Sequence, residues 1–158
     1  MEIRMVESAD IPKWQALSQE HDCYVKELVP DLTEWYEGNE TSPAFEVYMQ
    51  GKIDKQEAFM AIDTNGNCLG IVAISKKNNR ITFFGVSHKT DFHTVGYCLM
   101  KHSLEKLDIS KAISINEISS TAPQIQRYRD LYLDNEFVYS YDSIECGVPV
   151  NTFVKQPK

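Results

Sequence analysis

Hydrophobic and polar positions alternate over residues 2–6 (Glu2-Ile3-Arg4-Met5-Val6) with the two-residue period of a strand. From Asp10 the period lengthens. Trp14, Leu17 and His21 or Tyr24 fall on one helical face, with Asp10 as N-cap and Pro12 in the first turn. Pro30 interrupts that helix, Leu32 to Glu37 predicts a second short one ended by Gly38, and Ser42-Pro43 opens a third that Gly51 stops. The stretch 22–56 carries its aromatics on short, interrupted helices, so it reads as a cover over something rather than a core element.

The pattern then turns to strands: Ala58 to Asp63, Cys68 to Ser75 and Ile81 to Ser87. Between the first two, Asn65-Gly66 predicts a hairpin turn with both residues at positive φ. Helical spacing returns from Val95 to Leu107, where Tyr97, Met100, Leu104 and Leu107 share a stripe. Ala112 to Ile118 is a strand one helix later, so it should lie parallel to its predecessor through a right-handed crossover. Pro123 to Asp134 is helical on Ile125, Tyr128 and Tyr132; Phe137 to Glu145 and Val148 to Val154 are the last strands. The expected fold is α/β (α+β): a mixed, mostly antiparallel central sheet of about seven strands with flanking helices. Residues 1–158 read as one domain.

Composition narrows the function classes. A formal charge of -7 speaks against sequence-independent nucleic-acid binding and mildly favours cationic partners. No apolar run approaches the ~20 residues of a membrane span, and Met1-Glu2-Ile3-Arg4 carries no basic-then-apolar leader, so a cytoplasmic protein is expected. Cys23, Cys68, Cys98 and Cys146 form no paired motif; Cys68 and Cys98 read as small core residues. His88 and His93 lack a third ligand, so no metal is expected.

The segment Val86-Ser87-His88-Lys89-Thr90-Asp91-Phe92-His93-Thr94-Val95-Gly96 carries the chemistry. A strand that turns tightly into a helix aims main-chain N–H groups beyond the strand end, where the helix dipole adds roughly half a positive charge. That arrangement suits a phosphate-bearing ligand.

The order β-α-α-β-β-β-α-β-α-β-β, with Val86 and Gly96 in register and Leu99-Met100 as the following apolar pair, resembles the GNAT N-acetyltransferase family. Tyr132-Leu133-Asp134-Asn135-Glu136-Phe137 is similar to the family's Tyr-x-x-x-Gly-Phe segment. The sequence departs from the family pattern at His88 for Pro, Asp91 for Arg/Gln, Thr94 for the middle Gly and Glu136 for Gly.

The resemblance implies acetyl transfer from acetyl-CoA, the co-substrate, to an amine, with no metal. It implies two neighbouring parallel strands, 81–87 and 112–118, that splay to admit the pantetheine as a pseudo-strand. Main-chain groups of Phe84, Gly85 and Val86 would bind its amides. Those of Phe92, His93, Thr94, Val95 and Gly96 would hold the pyrophosphate, with Tyr97 just behind, and Tyr132 would protonate the leaving thiolate. Without the resemblance, Tyr132 reads as a core tyrosine.

The family's strand glutamate has no counterpart in Ile81 to Val86. Glu117 is the nearest substitute as general base, with Asp142 and Glu145 further off. Asp91 would repel a phosphate unless its carboxylate turns to cap the helix. Among Trp14, Trp35, Tyr36 and Tyr48, the pair Trp35-Tyr36 is best placed to bind the acceptor, a small-molecule or peptide amine. Pairable late-strand edges make a homodimer a candidate assembly. The altered positions also motivate a second reading, a catalytically impaired CoA-binding or protein-interaction module. A third, an unrelated α+β domain, requires the strands on either side of the 92–108 helix to pair without a gap.

Overall fold

The computed structural model describes residues 1–28, 43–120, 122–145 and 148–158, with the side chains of 22–28 and 148 outside that description. The expected short helix Leu32 to Glu37, Trp35, Tyr36 and Cys146 lie outside the described residues, as does the side chain of Cys23.

The chain runs β1 (Glu2–Met5), a 3-10 turn (Ser8–Asp10), α1 (Ile11–Leu28), α2 (Pro43–Asp54), β2 (Ala58–Ile62), β3 (Cys68–Ser75) and β4 (Arg80–Val86). It continues with α3 (Phe92–Lys106), β5 (Ile113–Ile118), α4 (Pro123–Asp134), β6 (Phe137–Glu145) and β7 (Val148–Lys155). Among the described residues the strands form one seven-stranded sheet in the order β1-β2-β3-β4-β5-β7-β6. Only β4 and β5 pair parallel. The mixed sheet with one parallel pair is therefore as expected. No described helix is long and apolar enough to cross a membrane.

Several local expectations are corrected. Asp10 is not the N-cap of α1; it ends the 3-10 turn, accepts from the Glu7 N–H at 2.9 Å and pairs with Arg4 at 2.7 Å. Gly51 does not stop α2, which runs on to Asp54. In the hairpin turn only Gly66 takes positive φ (+79°). The Asp63 carboxylate accepts the Asn65 and Asn67 N–H groups, each at 2.9 Å, so a side chain organises the turn that Asn-Gly alone was expected to make. Cys68 and Cys98 sit at the margin of the core, each half-buried; burial pushes the Cys68 thiol up to about 11.

Two layers cover the sheet. On one face, α3 and α4 bury Val95, Leu99, Met100, Tyr128, Leu131 and Tyr132 against Phe84, Val86, Ile113 and Ile115. Each such side chain contributes roughly 1.5–3 kcal/mol of burial. On the other face, Trp14 and Leu17 of α1 and Met49 of α2 pack on Met60, Ile71, Ala73 and Phe83. The helix α1 tracks β4, with Trp14 edge-on to Phe83 (5.7 Å) and Glu20 reaching Ser87 and His88.

The feature that positions the site is a bulge. Ala73 pairs with Phe83 and Ile74 with Ile81, so Thr82 is an extra residue in β4. A bulge bends its strand and increases its twist. Pairing between β4 and β5 stops at the same place: Arg80 meets Ser114, Ile81 meets Ile115, and no later β4 residue has a partner in β5. By contrast β4 stays paired to β3 as far as Val86. The two parallel strands therefore part, leaving a wedge that widens toward Val86. An unrelated domain with an unbroken β4–β5 ladder is excluded.

Candidate active site

The wedge has an apex near Ile81 and Ile115 and a mouth at Val86 and the start of α3. Its apex is apolar with one polar pair. Glu117 projects from β5 and Tyr132 from α4, and both are buried. The Tyr132 hydroxyl donates to Glu117 Oε2 at 3.0 Å, and Glu117 Oε1 accepts the Ile118 N–H at 2.8 Å. Phe84, Phe137 and Phe153 surround the Tyr132 ring at 6.1–6.4 Å. Burial raises the Glu117 carboxyl to about 7, partly offset by its two hydrogen bonds. Burial, and then the Glu117 charge, hold the Tyr132 hydroxyl well above the ordinary tyrosine range. The two residues expected to be catalytic are thus brought into direct contact. The other candidate acids are not: on the exposed strand β6, Asp142 accepts from Tyr139 and from Asn151 of β7, and Glu145 from Asn116 of β5.

The middle of the wedge is filled by Tyr128, which sequence reasoning placed only in a helical stripe. Its ring is buried, edge-on to Phe92 (4.8 Å), Phe84 (6.3 Å) and His21 (5.9 Å). His21 belongs to α1 on the opposite face, so the two helical layers touch through the gap in the sheet. The Tyr128 hydroxyl accepts from the Val86 N–H at 3.0 Å and donates to the Val86 carbonyl at 3.4 Å. Gly85 approaches α1, where an added Cβ would lie 3.5 Å from Leu17.

The mouth is the loop from Ser87 into α3. This helix begins at Phe92, three residues before the expected Val95, so Phe92, His93 and Thr94 form its first turn. Asp91 is the N-cap: its carboxylate accepts from the His93 N–H (3.2 Å) and the Thr94 hydroxyl (2.8 Å), which hold it below the usual carboxylate range. The Val95 N–H closes on the Asp91 carbonyl at 3.1 Å. A second carboxylate, Glu20, accepts from the His88 N–H at 2.6 Å, from the His88 ring and from the Ser87 hydroxyl. Asp91 thus turns to cap the helix, as one of the two expectations had it, and takes donors a diphosphate would use.

The remaining site residues are spread around the mouth. Gly96 faces α4, where an added Cβ would lie 3.0 Å from Leu131, so its bareness serves helix packing here. Tyr97 lies against the His93 ring at 4.6 Å, tilted by 36°, and donates to Asp134 at 3.1 Å. The Arg127 guanidinium lies over the Phe92 ring at 4.7 Å, beside the helix start. Trp14 is wholly buried among Phe45, Tyr48 and Phe83, so it is core. Tyr48 shares a 2.7 Å hydrogen bond with Thr82 at the bulge, and burial pushes its hydroxyl up to about 12. No group of three potential metal ligands occurs among the described residues.

The wedge thus runs from the buried Glu117–Tyr132 pair to the start of α3, and the side chains of Tyr128, Asp91 and Glu20 engage main-chain N–H groups along it.

No family model and no curated protein matches this chain. Solved structures do. A GNAT-family acetyltransferase from Streptococcus agalactiae has a TM-score of 0.68 at 10% identity, over 99% of this chain and 95% of its own. The ribosomal-protein-S18-alanine N-acetyltransferase from Escherichia coli has 0.66 at 12%, over 98% and 92%. The NatC complex bound to Gag peptide and CoA has 0.60 at 13%, over 100% of both chains. At such identities the likeness is one of architecture: the chain has the fold of the GNAT acetyltransferases.

Proposed function

We propose that the protein is an N-acyltransferase that moves the acetyl group of acetyl-CoA to an amine. The observation that carries this reading is the parting of β4 from β5 after Ile81–Ile115, with the Glu117–Tyr132 pair inside the interval.

In this reading the amine nitrogen attacks the thioester carbonyl carbon. A C–N bond forms and the C–S bond breaks. Glu117, as carboxylate, takes the proton that the nitrogen sheds, and Tyr132 gives its proton to the departing sulfur. The resulting tyrosinate and carboxylic acid stand 3.0 Å apart. The strongly raised Tyr132 pKa drives the proton from Glu117 back to Tyr132, and the site resets. A base near pH 7 suits this task, because it is substantially ionised at neutral pH yet basic enough to accept a proton.

At the mouth, Phe92 to Val95 supply the helix dipole and Arg127 a cation for the phosphates. The E. coli enzyme and NatC, by their names, involve a protein alanine and a peptide. A peptide or protein amine is accordingly the favoured acceptor class, and a cytoplasmic location belongs to the same reading.

The carboxylates of Asp91 and Glu20 on the loop donors favour a second reading, a GNAT-fold binding module without turnover. Thiol release from acetyl-CoA across a panel of peptide and small-molecule amines, alongside calorimetry with acetyl-CoA, separates the two. Release with any amine establishes the transferase. Binding without release leaves the module as a CoA binder, and no heat at millimolar acetyl-CoA removes the transferase and leaves only a protein-interaction module.

A further inference from the structure

We propose that Tyr128 is the residue that sets the affinity of this protein for acyl-CoA, by holding the ligand's slot closed with a hydroxyl that stands in for an amide. The inference rests on the transferase reading of the wedge. In an unsplayed sheet, β5 would satisfy the wedge-facing edge of β4. Here β5 has turned away, and one side chain does the work instead: the Tyr128 hydroxyl accepts from Val86 N–H and donates to Val86 C=O. The pantetheine arm of CoA carries two secondary amides, and a C=O from one with an N–H from the next offers the same combination of acceptor and donor, as neighbouring peptide groups of a strand do. Tyr128 and the arm therefore compete for one pair of main-chain groups.

The competition is also steric. The Tyr128 ring lies between Phe84 and Phe92 and meets His21 from the far face, so it fills the width that an extended chain would need. Entry requires the ring to leave. The observed dissociation constant is then the intrinsic one divided by the fraction of molecules with Tyr128 withdrawn. Two replacements dissect this. Tyr128→Phe keeps the ring and removes the hydroxyl, and Tyr128→Ala removes both. The Phe variant leaves the Val86 N–H without its partner until ligand arrives.

The test is calorimetric titration of acetyl-CoA into wild type and both variants, with thermal melts to establish folding and hydrogen exchange at the Val86 amide. We expect Tyr128→Phe to bind about tenfold more tightly, the equivalent of one ordinary hydrogen bond. Tyr128→Ala should bind more tightly still, and the Val86 amide should exchange faster in both until acetyl-CoA protects it. Should Tyr128→Ala not fold, Tyr128→Phe decides. Variants that fold yet bind no better than a binding wild type overturn the role of Tyr128 and leave the transferase reading standing. Absence of binding in all three overturns that reading and this inference together.

Discussion

At the apex of the wedge, Glu117 and Tyr132 share one hydrogen bond inside a shell of phenylalanines; at the mouth, the donors of a loop and a helix start are met by Glu20 and Asp91. The apex is dry. Removing a carboxyl from water there disfavours its charge, which is why Glu117 titrates near neutrality. The mouth is wet, and the Asp91 carboxylate stays ionised below its usual range. Exposed charges of this kind are screened by salt and hold their partners weakly. The difference is one of cost. Moving an apex group disturbs close packing, whereas moving a mouth carboxylate exchanges one set of surface hydrogen bonds for another. On the transferase reading, the chemistry belongs to the apex, and the mouth can only modulate an affinity that Tyr128 sets.

The comparison breaks most sharply at Tyr132. Replacing it with Phe keeps the packing against Phe84, Phe137 and Phe153 and removes the proton donor. The expected loss in kcat is about 10²–10³-fold, the range of a general acid, with acetyl-CoA affinity nearly unchanged. Equal loss in binding and turnover would make Tyr132 a packing residue and return it to the plain core role that helical spacing alone assigned.

Glu117→Gln acts on the same pair with a smaller kinetic effect, about 10²-fold. It also carries a stability signature. Because burial raises the folded-state pKa from 4.5 to about 7, the folded chain keeps a proton that the unfolded chain releases between those values. That contribution is fully present below pH 4.5 and is lost as pH rises through 7, a change of about 3 kcal/mol. The wild type should therefore lose stability from pH 5 to 8 relative to Glu117→Gln, which keeps one acceptor for Tyr132; His21 and His102, both lowered by burial, titrate in both proteins and cancel in the difference. In the wild type, kcat/KM should rise with pH to a plateau above 7, and the variant should lack that limb. A wild-type minus Glu117→Gln stability difference that does not change with pH would show that Glu117 is solvated and that the apex is not dry.

The unequal legibility of the two ends has a physical origin. The strands and the crossover were readable because alternation, turn residues and helix spacing are local signals, whereas the β4–β5 interval came only from the family resemblance. Glu117 could be named because it is the nearest carboxylate to the gap, and Tyr132 because the segment to Phe137 has a family register. The Glu136 substitution also explains itself in three dimensions. It sits at φ +69°, a conformation usually left to glycine, while Lys155 and Lys158 each pair with its carboxylate at 2.7 Å. Tyr128 was not legible as a wedge residue, because its partner is the main chain of Val86, 42 positions away, and no side-chain pattern marks a main-chain acceptor. The bulge at Thr82 was equally silent, since one extra residue leaves the apolar pattern of β4 nearly intact. Asp91 and Thr94 did carry a signal, an N-cap acid with a hydroxyl three positions on. Read as a cap, it places the helix start at Phe92 rather than Val95.

The mildest change tests the mouth. Asp91→Asn keeps a side-chain oxygen for the His93 N–H and the cap geometry, but removes one negative charge from the helix start. If the loop carboxylates oppose a diphosphate electrostatically, acetyl-CoA should bind the variant a few-fold more tightly at low salt, and the gain should fade by roughly 0.5 M salt as screening shortens the reach of the charge. The direction is set by Coulomb repulsion, because the His93 N–H keeps its acceptor and the exposed Thr94 hydroxyl, which loses one, can instead accept from the Asn amide. An affinity that falls, or a gain that persists at high salt, would mean that Asp91 acts on the ligand through shape or hydrogen bonding rather than charge. The mouth would then be as rigidly built as the apex, and the contrast between the two ends of the wedge would not hold.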